Sequence, residues 1–159
     1  MTTDLHPADL GHALVRAQFA LMAHGDLADF RRAVHPNATN REAAAEPLAC
    51  RVGGPEGTHA TALWLRAMFS GLHWEIHEIV AEGDLVVAHT TMTGRNTGRY
   101  TKYDADGGVA VSRPATGRSF AVRQTHWYRI ADGMIIEHWA NRDDLGMALQ
   151  LGFLGPPTD

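Results

Sequence analysis

The chain has 159 residues, 45% of them apolar and 20% charged, which suits one folded domain with its own core and excludes a disordered polymer. Its formal net charge of -4, with no basic run, argues against a nucleic-acid binder, which needs a positive stripe to neutralise phosphates. No stretch is long and apolar enough to span a bilayer.

The start, MTTDLHPADL, lacks the basic and apolar regions of a secretory leader, so a cytoplasmic location is expected. A single cysteine, Cys50, suits a reducing compartment and is expected to be structural rather than nucleophilic. From Asp9, Leu10, Leu14, Ala17 and Leu21 recur at helical spacing up to Gly25. Asp26 then caps a short helix with Leu27, Phe30 and Val34 on one face. Residues 35–57 are rich in Ala, Pro and Gly and read as irregular, with one helical turn over 41–46. Thr58 opens a third helix whose stripe is Leu63, Trp64, Ala67 and Met68.

The period then changes. Residues 74–80 form a strand that turns at Gly83-Asp84, and 85–94 form its partner, rich in Val and Thr. Residues 95–117 are polar and glycine-rich, an extended tip turning at Asp106-Gly107-Gly108. A long strand over 119–130, the strong hairpin turn Asp132-Gly133 and a strand over 134–140 follow, with a short helix from Asp143 to Leu151. Helices first and hairpin-linked strands second predict a single α+β domain over 1–159, with helices packed on one face of an antiparallel sheet.

Side chains alternate between the faces of a strand. Val122, Gln124, His126 and Tyr128 share one face, and Ile136, His138 and Ala140 share one face of the next strand. Gln124, His126 and His138 can therefore converge on one pocket. Asp143 and Asp144 head a helix, where a carboxylate either caps the first turn or faces the pocket. His73 and His77, four apart on a strand, lie roughly 13 Å from each other, too far to share a zinc, and no paired-cysteine or HExxH motif is present; no metal is expected. The only lysine, Lys102, sits in a polar loop-like stretch unsuited to a desolvated Schiff-base amine.

Three segments, IVAEGDLVV at 79–87, PATGR at 114–118 and YRIADGMIIEHW at 128–139, resemble the SnoaL-like polyketide cyclases, also called ester cyclases, of the nuclear-transport-factor-2-like superfamily. The resemblance covers residues 10–152 and implies a cone of helices on a strongly curved sheet enclosing a deep apolar pocket. Trp64, Met68, Tyr128, Ile136 and Ala140 are then expected to touch a hydrophobic small-molecule substrate. It also implies a homodimer through the outer sheet face, carrying Arg123, Thr125, Trp127 and Arg129, and chemistry without a cofactor. Gln124-Thr125-His126 matches the family's Gln-x-His, but the aspartate that follows Glu-His-Trp in the family is Ala140 here.

The family reaction is an aldol closure begun by proton abstraction, so this chain needs another base. Candidates are Asp143, Asp144, His126 or His138. Two alternatives stand beside cyclisation or isomerisation. One is an epoxide-opening hydrolase or cyclase using Arg142 and the two aspartates that follow it, Asp143 and Asp144. The other is a binding protein that has lost the base.

Overall fold

The computed structural model describes residues 7–155. Helix α1 (Pro7–His24) is followed by α2 (Leu27–Ala33), strand β1 (Val34–Asn40), two 3-10 turns (Ala43–Ala45 and Leu48–Val52) and α3 (Gly54–Met68). Then come β2 (Phe69–Glu82), β3 (Leu85–Asn96), β4 (Tyr100–Tyr103), β5 (Val109–Arg113), β6 (Ser119–Ala131), β7 (Met134–Arg142) and α4 (Asp144–Gln150). The main sheet has the order β1-β7-β6-β3-β2, and β4 and β5 form a separate two-stranded ribbon.

The α+β class and the order of elements agree with the sequence reading, but the sheet is mixed: β1 runs parallel to β7, while the other pairs are antiparallel. Strand β1 escaped notice because VHPNATN does not alternate and carries Pro36, which only an edge strand tolerates. The 95–117 tip is a true hairpin, closed by Gly107 at φ 86°. Asp132 and Gly133 both take positive φ, 51° and 72°, the geometry that a two-residue turn joining β6 and β7 requires.

Helical stripes read from the sequence are rotated in the fold. The buried face of α1 is Gly11, Val15, Gln18 and Phe19, while Ala17 is exposed. A β-carbon at Gly11 would lie 2.7 Å from Val86 Cγ2, so α1 presses on β3 where it carries no side chain. In α3, which starts at Gly54 rather than Thr58, Thr61 and Ala62 are buried and Leu63 is 50% exposed. Asp26 caps α2 as expected, in a reciprocal box with Asp29.

The main core joins Val15 and Phe19 of α1, the inner sheet face (Trp74, Val86, Ala88, Met92, Val122, Tyr128, Ile135) and Met147 and Leu151 at the C-terminal end. A smaller cluster of Phe30, Ala33, Val34, Ala38 and Ala62 seats α2 and α3 on β1. At the wide end, fully buried Asn96 ties three segments together. Its amide donates to the Met68 and Gly98 carbonyls (3.0 and 2.9 Å), and its oxygen accepts from Thr116 N–H (2.8 Å). Asn96→Ala should leave the Gly98 carbonyl and the Thr116 N–H without this partner, while Met68 O keeps the Thr97 and Gly98 N–H groups, and lower unfolding free energy by about 2–3 kcal/mol in urea titration.

Candidate functional site

Between the helices and the concave sheet face lies one large cavity. Its apolar wall includes Phe19, Met22, Trp64, Met68, Met92 and Tyr128, and polar groups gather at the β1–β7 side. Gln18, buried on α1, also faces in, and its side-chain oxygen has no partner among the described residues. Residues of the cavity come from all layers of the fold, so folding itself assembles the site.

Gln124, His126 and His138 do converge. Trp74 Nε1–H donates to Gln124 Oε1 (3.0 Å), which also lies 2.8 Å from His126 Nε2. His126 Nδ1 lies 3.0 Å from His138 Nε2, and His138 Nδ1 lies 3.0 Å from Asn40 Oδ1. Asn40 Oδ1 also accepts from Glu42 N–H (3.1 Å). One polar chain thus crosses β2, β6, β7 and β1. Because an indole N–H can only donate, Gln124 presents its oxygen to Trp74 and its amide nitrogen towards Met92 Sδ (3.2 Å). Burial is the main influence lowering both rings: His126 falls well below the usual histidine range through burial, His138 and Arg142, and His138 is pushed down to about 3 by burial and Arg142. Burial also raises the Tyr128 phenol far above its usual range, so it stays protonated.

Other expected positions resolve differently. Trp64, Met68 and Tyr128 line the cavity, but Ile136 does not: a bulge pairs Arg129 with Glu137 and Ile130 with Ile135, which puts Ile135 on the wall instead. Ala140 pairs with His126 yet lies outside the cavity lining, because its N–H is taken by the Glu42 carboxylate (Oε1, 3.1 Å). Asp143 is the N-cap of α4, accepting from Gly146 N–H (2.7 Å), and does not line the cavity. Asp144 does, at the rim, 60% exposed and 3.8 Å from Arg142.

Three groups that the sequence did not point to complete the site. Glu42 lines the cavity, and its second oxygen pairs with Arg142 Nη2 at 2.9 Å. Glu46 is only 3% exposed, bonded to Thr61, and its carboxyl is raised by burial. Lys102, expected in a solvated loop, instead lines the cavity on β4 with its ammonium 5.4 Å from the Trp64 ring centre; burial lowers its pKa. Cys50 is buried, its thiol pushed up to about 11 by burial and Glu46, as an inert structural cysteine should be. Among the described residues, no helix is long and apolar enough to cross a membrane.

A helix-roofed α+β cone with a mostly apolar cavity and a polar relay on one wall defines a small-molecule site. The chain belongs to the SnoaL-like polyketide cyclase family, whose model matches residues 12–151. Over 100 residues, 62% of this chain, it is 38% identical to the aklanonic acid methyl ester cyclase DnrD of Streptomyces peucetius and 34% identical to the nogalonic acid methyl ester cyclase of Streptomyces nogalater. Those stretches span 62% and 67% of the two relatives, so the match to DnrD covers less than two thirds of its length. Among solved structures, TsrD from Streptomyces laurentii superposes with a TM-score of 0.75 at 28% identity, covering 92% of this chain and 97% of that one. IdmH from Streptomyces antibioticus gives 0.69 at 25% identity, covering 89% and 98%.

The depressed His138 has a consequence for stability. An unfolded histidine takes a proton near pH 6.5, whereas His138 in the fold does so only near 3, so the unfolded state binds more protons as pH falls. This ring should therefore lower stability by about 2 kcal/mol between pH 7 and pH 5. In denaturant titrations at the two pH values, His138→Gln should reduce the pH-dependent drop by about that amount.

Proposed function

We infer that this protein is a cofactor-free cyclase for a hydrophobic polyketide ester, closing a ring by intramolecular aldol addition with Glu42 as the base. The observation that carries the reading is the Glu42 carboxylate in the cavity wall, anchored on the N–H of Ala140, the position where the family's aspartate is absent. A carboxylate brought in by the β1 connection replaces one carried on β7. It removes a proton from a carbon flanked by carbonyls, and the resulting enolate carbon attacks a ketone of the same molecule. The enolate oxygen takes a hydrogen bond from the Gln124 amide, whose acceptor among the described residues is the Met92 thioether, a weak one. His126 and His138 act behind it, holding Gln124 in that orientation. The apolar wall excludes water, which would otherwise quench the enolate.

Glu42→Gln should lower kcat on a β-dicarbonyl polyketide methyl ester by about 10²- to 10⁴-fold with little change in KM, the scale typical of a lost general base. Adding Ala140→Asp to that variant should restore part of the rate, since it returns a carboxylate to the same corner. Unchanged turnover in Glu42→Gln would remove Glu42 from the mechanism.

Arg142 stands between Glu42 (2.9 Å) and Asp144 (3.8 Å), which favours epoxide opening as the second reading, with Arg142 joining two acids around one water. Labelled water separates the two: ¹⁸O enters the product of hydrolytic epoxide opening and not the carbon skeleton of an aldol closure. As for assembly, we propose a homodimer through the outer sheet face. There Trp127 stacks on Trp139, with ring centres 6.0 Å apart. Trp127→Glu should yield a monomer in sedimentation velocity runs.

A further inference from the structure

We propose that Glu46 is the general acid of the ring closure, a buried carboxylic acid that hands its proton to the oxygen on which charge appears as the new carbon–carbon bond forms. This rests on the aldol reading above and adds the half of the proton traffic that a base alone leaves open.

Removing a C–H proton gives an enolate, and the attack of that enolate on a ketone leaves an alkoxide. The carbon–carbon bond takes the enolate electron pair, the ketone π pair moves to oxygen, and the oxygen then needs a proton. Inside an apolar cavity bulk water is a poor source, so the wall must supply it. Glu42 starts the cycle as an anion, paired with Arg142 and accepting an N–H, and it ends holding the substrate's proton. A second acid, protonated at the start, balances the cycle. Passage of one proton from Glu42 back to Glu46 restores both groups.

Glu46 has the surroundings of such an acid. It lines the same cavity yet is cut off from solvent, and no cation lies within ion-pair distance of it among the described residues. The groups packed around it are Thr61 of α3, Cys50 and Arg51 of the second 3-10 turn, Lys102 of β4 and Arg142 of β7. Arg51 spends its guanidinium on backbone oxygens, those of Glu46, Asp104 and Ala105, and not on the carboxylate. Thr61 donates its hydroxyl to Glu46 Oε2 and also lies 3.3 Å from the Gly57 carbonyl. Burial, the largest influence, raises the Glu46 carboxyl against that hydrogen bond and the charges of Arg142 and Lys102. Glu42 and Glu46 flank a single 3-10 turn in different surroundings, one paired with a cation and one desolvated, the pattern by which two carboxyls divide acid and base roles.

Two measurements test this. Difference infrared spectra of wild-type protein and Glu46→Gln at neutral pH should show a protonated-carboxyl C=O band in the wild type that the variant lacks; its absence overturns the proposal whatever the substrate is. With a β-dicarbonyl polyketide methyl ester in D₂O, exchange of the acidic C–H reports the base, and ring closure reports base and acid together. Glu46→Gln should keep C–H exchange within about threefold of wild type while closure falls by about 10²-fold or more. The alkaline limb of its kcat/KM profile should vanish. Closure at the wild-type rate, or loss of exchange along with closure, overturns the assignment. A wild-type protein that neither exchanges nor closes fails the cyclase reading itself, and the acid role falls with it. A band without turnover therefore marks failure of the reaction reading, and turnover without a band marks failure of Glu46.

Discussion

The hydrogen-bond chain from Trp74 through Gln124, His126 and His138 to Asn40 is the constraint around which the concave face is organised. It crosses four of the five strands of the main sheet, and each link needs the neighbouring strand in one register. A slip of one residue would turn His126 or His138 to the outer face and leave its partners unpaired in a low-dielectric wall, a costly outcome. The same chain fixes the Gln124 amide at one end. At the other it fixes the turn after β1, because the Asn40 oxygen also holds the backbone of Glu42. Catalytic geometry and strand register are one property here.

That coupling explains how the family's carboxylate can be absent from β7 without dismantling the site. The parallel edge strand β1 pairs Asn40 with His138 and leads the chain directly to Glu42. The position on β7 then needs only a backbone N–H to anchor the incoming acid, and alanine leaves room for it. Arg142, two residues further along β7 and therefore on the same side of the strand, meets the other carboxylate oxygen. The acid is held at both oxygens by β7 while being carried by the turn that follows β1.

What the sequence disclosed follows from the range of each signal. Alternation along β6 put Gln124, His126 and Tyr128 on one face, and the Asp132-Gly133 turn placed β7 beside them, because both signals are local. The bulge opposite Arg129 and Ile130 was not legible, and it exchanged Ile136 for Ile135 on the wall. Strand β1 is an edge strand defined by its partner rather than by its own pattern, so Asn40 and Glu42 stayed hidden in a stretch that reads as loop. Lys102 misled for a related reason: its neighbours are polar, but the hairpin that carries it folds back over Trp64. The start of α4 left capping and catalysis open for two aspartates, and geometry divided them, Asp143 to the cap and Asp144 to the rim.

The β4–β5 hairpin over the cavity is fastened in part by Arg51 to the carbonyl oxygens of Asp104 and Ala105. Every residue type supplies a carbonyl, so this clasp places no demand on side-chain identity at the tip. The tip is thus held to the 3-10 turn by backbone oxygens, while the strand that leads to it reaches the cavity through Tyr100 and Lys102. A change at Asp104 or Ala105 that keeps the backbone course leaves the clasp, and with it the placement of Lys102 beside Trp64, in place.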